Sequence, residues 1–453
     1  MGAVPPLEPL RAVPIRRSGA ASLSQNVKVK AFSEVAVRGS RLVLLIVAAR
    51  VWGPERFGVF SYAEAAAAIV ATGADFGLQL HLARSIAQGG GRAALAAAVR
   101  AKVILSALCL VVLAGLSLSS PRAEIRGILL LAGCVLLAHT WCDFWNHYFR
   151  GRQSLRDEAI VNLTYVVGGS AVAGLAVLWG VQVAAFYFVL LVAALGGNVL
   201  AWRRVRARLA ELDDVAAAGE SLREAGAPPS LRGDPSDRAA AARALRDAFP
   251  IGLATLFSTI YFRIDMVLLQ WLRGDAETGS YGAAYRLFEG ALVLPALLLA
   301  ALFPAFAERS LGSRDDLTRT FRTAVTGMAA LGLFAALVVA LAGPPLVHLF
   351  YGADYAESAA LLRWLAPTLC FLFPNYVLAH FLVATGEQRM NAWMAAFGVP
   401  ANVALNLALV PTHGAFGAVV ATLVTEVALF AWGWTTARRR IARQPAVAVS
   451  GAS

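Results

Sequence analysis

The 453-residue sequence is 58% hydrophobic and only 15% charged, with a mean hydropathy of +0.64, far from the roughly 25% charged residues of an ordinary soluble domain. That balance excludes a soluble enzyme or binding module and requires a bilayer as solvent. A formal net charge of +12 raises nucleic acid as a partner, but the basic residues cluster beside apolar runs as membrane topology demands, so no nucleic-acid partner is expected.

The first 31 residues carry Arg11, Arg16, Arg17, Lys28 and Lys30 with no short apolar stretch leading to a small-residue cleavage site, which predicts a cytoplasmic tail and not a removable signal peptide. Apolar runs of about 20 residues then recur, each long enough at 1.5 Å per residue to cross a hydrocarbon core of about 30 Å. They place spans at 33–52, 58–82, 99–119, 127–149, 158–179, 182–202, 248–272, 280–305, 321–343, 362–385, 390–411 and 414–437. The expectation is an all-α polytopic membrane protein of about 12 transmembrane helices in two six-helix halves, 32–202 and 247–437, with a linker at 203–246 and a tail at 438–453. With the N-terminus inside, most Lys and Arg outside the spans fall in the tails and alternate loops of that side, so the positive-inside rule selects N-in and C-in. The expected location is the cell inner (plasma) membrane.

Loops on the other side are short. The longest, 344–361, contains Pro344, Pro345, Asp354 and Glu357 and holds a small cap, not an external catalytic domain. The linker opens with Arg203, Arg204, Arg206 and Arg208 and runs through Glu220, Pro228, Pro229, Gly233 and Pro235 to Arg246. Its low apolar content and mixed charge predict a partly disordered cytoplasmic segment with a juxtamembrane helix drawn to anionic lipid. The halves it separates echo each other: "RLVLLIVAARVWGPERFGVFSYAEA" from Arg41 resembles "RIDMVLLQWLRGDAETGSYGAAYRL" from Arg263, and Gly151, Gly180 and Arg203 fall opposite Gly386, Gly414 and Arg438. Halves with an even number of spans repeat in parallel about an axis along the membrane normal, which puts a substrate cavity between them.

A charged side chain at mid-span costs about 2.5–3.5 kcal/mol on insertion scales, so each needs a partner, a water-filled cavity or the interface. Glu34, Arg38 and Arg41 are spaced four and three apart, on one helical face. Two guanidiniums toward the cytoplasmic entrance suit a pyrophosphate, whose oxygens accept bidentately; the competing reading pairs Glu34 with Arg38, and Arg41 with Asp75, as structural locks. His139, Asp143 and His147 share a face opposite Trp141 and Trp145, a pattern for a proton relay or cation site and equally for an interfacial belt with Tyr148. Arg263 and Asp265, two apart, point in different directions, whereas Arg286 and Glu289, three apart, can pair; Arg263 and Arg286 are expected to face the cavity. His380 and Glu426 are isolated polar residues in apolar spans. Pro54, Pro250, Pro295, Pro304, Pro367, Pro374 and Pro400 permit kinked helices. Cys109, Cys134, Cys142 and Cys370 read as small buried hydrophobes with no metal or disulfide role.

Particular segments carry a resemblance. "ARVWGPERFGVFSYAEAAAAIVATGADFGLQLHLARSIA" (Ala49 to Ala87), "FRIDMVLLQWLRGDAETGSYGAAYRLFEG" (Phe262 to Gly290), "LFPAFAE" and the stretch from Leu382 to Leu429 look like the polysaccharide biosynthesis export family, the lipid-linked O-unit flippases of the multidrug/oligosaccharidyl-lipid/polysaccharide exporter superfamily. The resemblance covers 31–437 apart from the linker. It implies a V-shaped bundle alternating between inward-open and outward-open states, and a substrate made of a short sugar unit on undecaprenyl pyrophosphate. It also implies a cationic cavity, which Arg38, Arg41, Arg263 and Arg286 fit, and a polymerase or ligase that receives the product. No cofactor is implied beyond a proton or sodium gradient, for which Asp75, Asp143 and Asp265, with His139 and His147, are the candidates.

Three alternatives compete. A drug or metabolite cation antiporter favours an acidic cavity, against the intramembrane arginines here. A lipid II flippase resembles proteins with two further C-terminal spans. A membrane polymerase or ligase needs a large external loop and convergent acid, base or metal groups, which the sequence lacks.

Overall fold

The computed structural model describes residues 20–88, 91–220, 238–310 and 313–444. All regular elements among them are helical: α1 (Ala20–Asp75), α2 (Leu78–Ala87), α3 (Gly91–Ser119), α4 (Ala123–Gly151), α5 (Leu155–Asn162), α6 (Gly168–Leu178), α7 (Val183–Glu220), α8 (Arg238–Arg273), α9 (Asp275–Ala291), α10 (Val293–Arg309), α11 (Arg314–Phe350), α12 (Ala356–Leu365), α13 (Leu369–Ala384) and α14 (Gln388–Ala442). A π-helical turn at Leu163–Val167 joins α5 to α6, and 3₁₀ turns at Ala353–Tyr355 and Ala366–Thr368 flank α12. Eight of the helical stretches among the described residues are long and apolar enough to cross a membrane.

Each expected span falls on helix, but several are interrupted. The stretch 58–82 breaks at Phe76 and Gly77, and 280–305 breaks at Leu292. Conversely, α7 runs unbroken through Arg203, Arg204, Arg206 and Arg208 to Glu220, and α8 begins at Arg238. Both ends of the expected linker therefore extend their neighbouring helices; 221–237, with Pro228, Pro229 and Pro235, lie outside the described residues.

The two longest helices are each a doubled pair. Gly53 (φ 71, ψ 176) breaks α1 and Gly414 (φ 57, ψ −141) breaks α14. A side chain would strain those dihedrals, whereas glycine adopts them freely. Pro54 follows Gly53 at the first position of the second limb, where its missing N–H leaves no hydrogen bond unmade. In the second half Gly274 (φ 89) turns α8 into α9 one residue before the position opposite Gly53 when Arg263 is set against Arg41. The repeat is therefore visible as matched turns.

The halves touch through those matched turns. A Cβ on Gly58 would lie 1.8 Å from the Asp275 carbonyl oxygen, and one on Gly279 would lie 1.8 Å from that of Pro54. Two backbones cross at a distance only glycine allows, a small-residue contact of the kind that drives helix association without a hydrophobic effect. The same end is tied by Arg122, whose Nη1 donates to both Asp275 oxygens at 2.8 and 2.7 Å, and by the Tyr355 hydroxyl donating to the Ala49 carbonyl at 2.8 Å. Arg50 adds a bond to the Leu349 carbonyl at 2.8 Å. At the opposite end Phe76 packs on Phe249 at 5.4 Å, and Thr72 donates to Thr259 at 3.2 Å.

Gly279→Val forces a branched side chain into the Pro54 backbone, at an overpacking cost of about 1–3 kcal/mol. Its thermal unfolding midpoint in detergent is expected to fall, while Gly290→Ala, a site with nothing within 4 Å of a new Cβ, leaves it unchanged or slightly raised. An unchanged midpoint for Gly279→Val would refute the close approach.

Candidate functional site

The turn at Gly53 folds α1 back along itself, so residues distant in sequence face one space. Arg41 on the first limb and Glu64 on the second line a cavity of about 130 Å³ with His139, Tyr165, Ser170 and Tyr187. Glu64 also reaches the other half, where Nη2 of Arg286 donates to it. Arg286 in turn binds Glu289 at 3.3 Å, and Arg263 binds the other Glu289 oxygen at 3.2 Å. The Arg286 side chain is only 8% exposed. Burying a charge is costly unless it is paired, and two arginines with two carboxylates make a neutral cluster across the halves. Nη1 of Arg263 and Nε of Arg286 are buried without a hydrogen-bond partner among the described residues, so the cluster keeps spare donors.

The four arginines expected to form one cationic cavity are thus divided. Arg263 and Arg286 converge on Glu289, and Arg41 lines the neighbouring cavity. Arg38 is 65% exposed and 3.7 Å from Glu34. Glu34 is held more closely by Lys30 at 2.6 Å, which also bonds Glu158 at 2.5 Å. The pairing of Arg41 with Asp75 is replaced: Asp75 accepts from Lys102 at 2.5 Å, because α3 packs against α1 and brings that lysine to it. The pairing of Arg286 with Glu289 holds.

The three side chains of the His139, Asp143 and His147 face have different surroundings. His139 turns to the cavity with its ring 5.6 Å from that of Tyr165, and a His147 ring nitrogen lies 2.9 Å from the Asp143 backbone carbonyl. Asp143 is exposed, within electrostatic reach of Arg41, His147, Arg150 and Lys102. Trp141 donates to Ser106 at 3.2 Å and Trp145 packs on Trp202 at 5.3 Å, so both tryptophans tie α4 to its neighbours.

Asp265 has a different environment. Its buried carboxylate accepts from the Tyr281 hydroxyl at 3.0 Å, the Thr422 hydroxyl at 3.0 Å and the Asn406 amide at 2.9 Å. Asn406 also donates to the Asn402 side-chain oxygen at 3.1 Å. Three helical segments, α9 and both limbs of α14, thus contribute neutral groups around one carboxylate on α8, with no ion pair to it among the described residues. Glu426 is likewise held by neutral donors, the Tyr261 hydroxyl at 2.6 Å and Asn375 at 2.7 Å, while His380 contacts the carbonyl of Tyr376 one turn before it at 2.8 Å.

Glu64, Lys102, Asn402, Asn406 and Thr422 escape sequence reasoning. Asn402 and Asn406 carried a usable signal, two amides at i and i+4 in an apolar run. Glu64 carried the signal of a lone carboxylate in an apolar run, but its partner was hidden, since only the Gly53 turn and the packing of the halves bring it to Arg286.

An all-helical bundle whose halves meet around a polar, charge-paired interior is the architecture of a multi-pass membrane transporter. Residues 23–310 match the family model for polysaccharide biosynthesis proteins, and 250–408 match the MatE model; the chain belongs to the polysaccharide biosynthesis protein family. It is 24% identical to the EPS I polysaccharide export inner membrane protein of Ralstonia solanacearum over 80% of this chain and 81% of that one. It is 22% identical to a Shigella dysenteriae protein named as an O-antigen transporter, over 40% of this chain and 46% of that one, so this match spans under half of that relative's length. Among solved structures, an inward-facing multidrug resistance MATE family transporter of the MOP superfamily superposes with a TM-score of 0.65 at 16% identity, covering 89% of this chain and 95% of that one. The lipid II flippase MurJ in an inward closed conformation gives 0.62 at 12% identity, covering 91% and 89%. These family and structural neighbours are transporters and flippases, not enzymes.

Arg286→Met leaves Glu64 without its cation. Breaking one side of a buried pair costs about 3–5 kcal/mol, so the unfolding midpoint is expected to drop. Adding Glu64→Gln should recover part of that loss; a double-mutant cycle with no coupling would show that the two do not interact.

Proposed function

We propose that this protein is a flippase that moves an oligosaccharide linked to undecaprenyl pyrophosphate from the cytoplasmic to the outer leaflet of the inner membrane, for O-antigen, capsule or exopolysaccharide biosynthesis. The observation that carries the reading is the neutral Arg263, Arg286, Glu64 and Glu289 cluster with its unused guanidinium donors.

In the empty carrier Glu64 and Glu289 act as internal anions for the arginines. A pyrophosphate brings more charge and more acceptor oxygens than either carboxylate, and guanidinium forks bind phosphate bidentately. It takes over Arg286 and Arg263, with Arg41 as a third cation at the cavity wall. Displacing Glu64 also removes a contact between the halves, so substrate binding loosens the closed arrangement. Differential contact of this kind is what lets a ligand shift a conformational equilibrium.

Energy input falls to Asp265. Its ring of hydroxyl and amide groups offers hard oxygen donors beside one negative charge, which suits a sodium ion or a proton. Asp75 already has Lys102 as a counter-ion, and Asp143 has several cations near it, so neither has the same need of an external one. A polymerase or ligase on the outer face consumes the flipped lipid.

The test uses inverted vesicles and a fluorescent undecaprenyl-pyrophosphate oligosaccharide, followed to the lumenal leaflet. Wild type moves it, Arg263→Ala with Arg286→Ala loses movement while inserting normally, and Asp265→Asn loses dependence on the ion gradient. If wild type moves no lipid-linked sugar and instead exchanges small organic cations for protons, the flippase reading fails in favour of an antiporter.

A further inference from the structure

Lys102 has no exposed surface. Its ammonium donates to Asp75 at 2.5 Å, to the Thr140 hydroxyl at 3.2 Å and to the Ala74 carbonyl at 3.5 Å, and it lies 5.5 and 5.6 Å from the ring centres of Trp141 and Phe144. A lysine held on all sides by one carboxylate, two oxygens and two aromatic faces has its position closely determined.

The place it holds is strained. Asp75 is the last residue of α1, and Phe76 after it has φ 33, a left-handed backbone rarely adopted by a bulky side chain; Gly77 follows at φ 79. Such conformations persist only where their surroundings enforce them. Lys102 grips the break from within the first half, through Asp75. The second half presses on it from the other side: the Phe76 ring meets Phe249 at 5.4 Å, a Cβ on Gly77 would lie 2.5 Å from the Ala248 carbonyl oxygen, and one on Gly252 would lie 2.6 Å from Phe76. The break is thus the contact between the halves at the end opposite the Gly58 and Gly279 crossing.

A second carboxylate waits nearby. Asp143 follows by one turn of α4 the Thr140 that Lys102 bonds, and keeps exposed surface. Arg41, His147 and Arg150 lie within electrostatic reach of it.

We propose that Lys102 is a positioning residue for this gate: bound to Asp75 it holds the Phe76 and Gly77 break closed against α8, and transfer of its ammonium to Asp143 frees the break so that this end of the halves parts. The inference rests on alternating opening of the two ends. It does not depend on which lipid or ion is carried. A plain buried ion pair would stabilise the first half without favouring either arrangement of the ends.

Spin labels at Ala87 on α2 and Arg246 on α8, in a cysteine-free background in liposomes without sugar lipid, report the separation of this end by pulsed dipolar spectroscopy. Asp75→Asn and Lys102→Met should each move most of the population to longer distances. Asp143→Asn, which removes the alternative partner, should narrow it to the short distance, and Lys102→Arg should keep the wild-type distribution. Opposite shifts for Asp75→Asn and Asp143→Asn are the outcome a structural pair cannot produce. Shifts in the same direction, or no shift for Asp143→Asn, overturn the proposal. Asp143 is exposed and its substitution leaves the Lys102 pair intact, so it decides the matter alone if the Asp75 variant does not fold. Failure of the sugar-lipid assay leaves these distances unaffected, so the two readings fail separately.

Discussion

Arg286 sits where a bilayer protein can least accommodate an unpaired charge, and its main partner, Glu64, belongs to the other half of the molecule. Neither residue is satisfied within its own half by that pair, so the halves are bound to each other by an electrostatic necessity and not only by packing. Glu289 and Arg263 extend the arrangement until charge balances. In a low-dielectric interior such a network is strong when complete and costly when broken. That makes it a natural place for a competing anion to act.

The geometry that permits this pair comes from glycine. Gly53 and Gly274 turn the chain at equivalent points of the two halves, and Gly58 and Gly279 let the second limb of α1 and α9 cross at backbone contact. The crossing brings Glu64, two turns further along its limb, level with Arg286. Tyr355 bonded to the Ala49 carbonyl and Arg122 bonded to Asp275 close the same end. The opposite end relies on the break at Phe76 and Gly77, whose dihedrals need external enforcement. One end is held by unstrained close packing and the other by a strained segment with an ionic clamp.

The halves repeat in topology but have diverged in charge. In the first, Asp75 has an internal lysine. In the second, Asp265 and Glu426 are buried among hydroxyls and amides alone. A carboxylate with a fixed internal cation suits a mechanical role, and one with neutral ligands suits an exchangeable ion. The same fold therefore holds a carboxylate paired with a lysine in one half and carboxylates ringed by neutral donors in the other.

Apolar runs of bilayer length made the helices legible in the sequence, because every backbone polar group must be satisfied within the span. The repeat was legible too, since the glycines that turn α1 and join α8 to α9 must keep their places. Local partners at helical spacing, such as Arg286 with Glu289, followed from the 3.6-residue period. Pairings across the fold did not. Asp75 looked available to Arg41 until the packing of α3 on α1 set Lys102 against it, and Glu64 had no visible partner until the two halves met. Which charges neutralise which depends on distances between helices far apart in sequence, and only the tertiary structure, through close backbone crossings and sharp breaks, sets those distances.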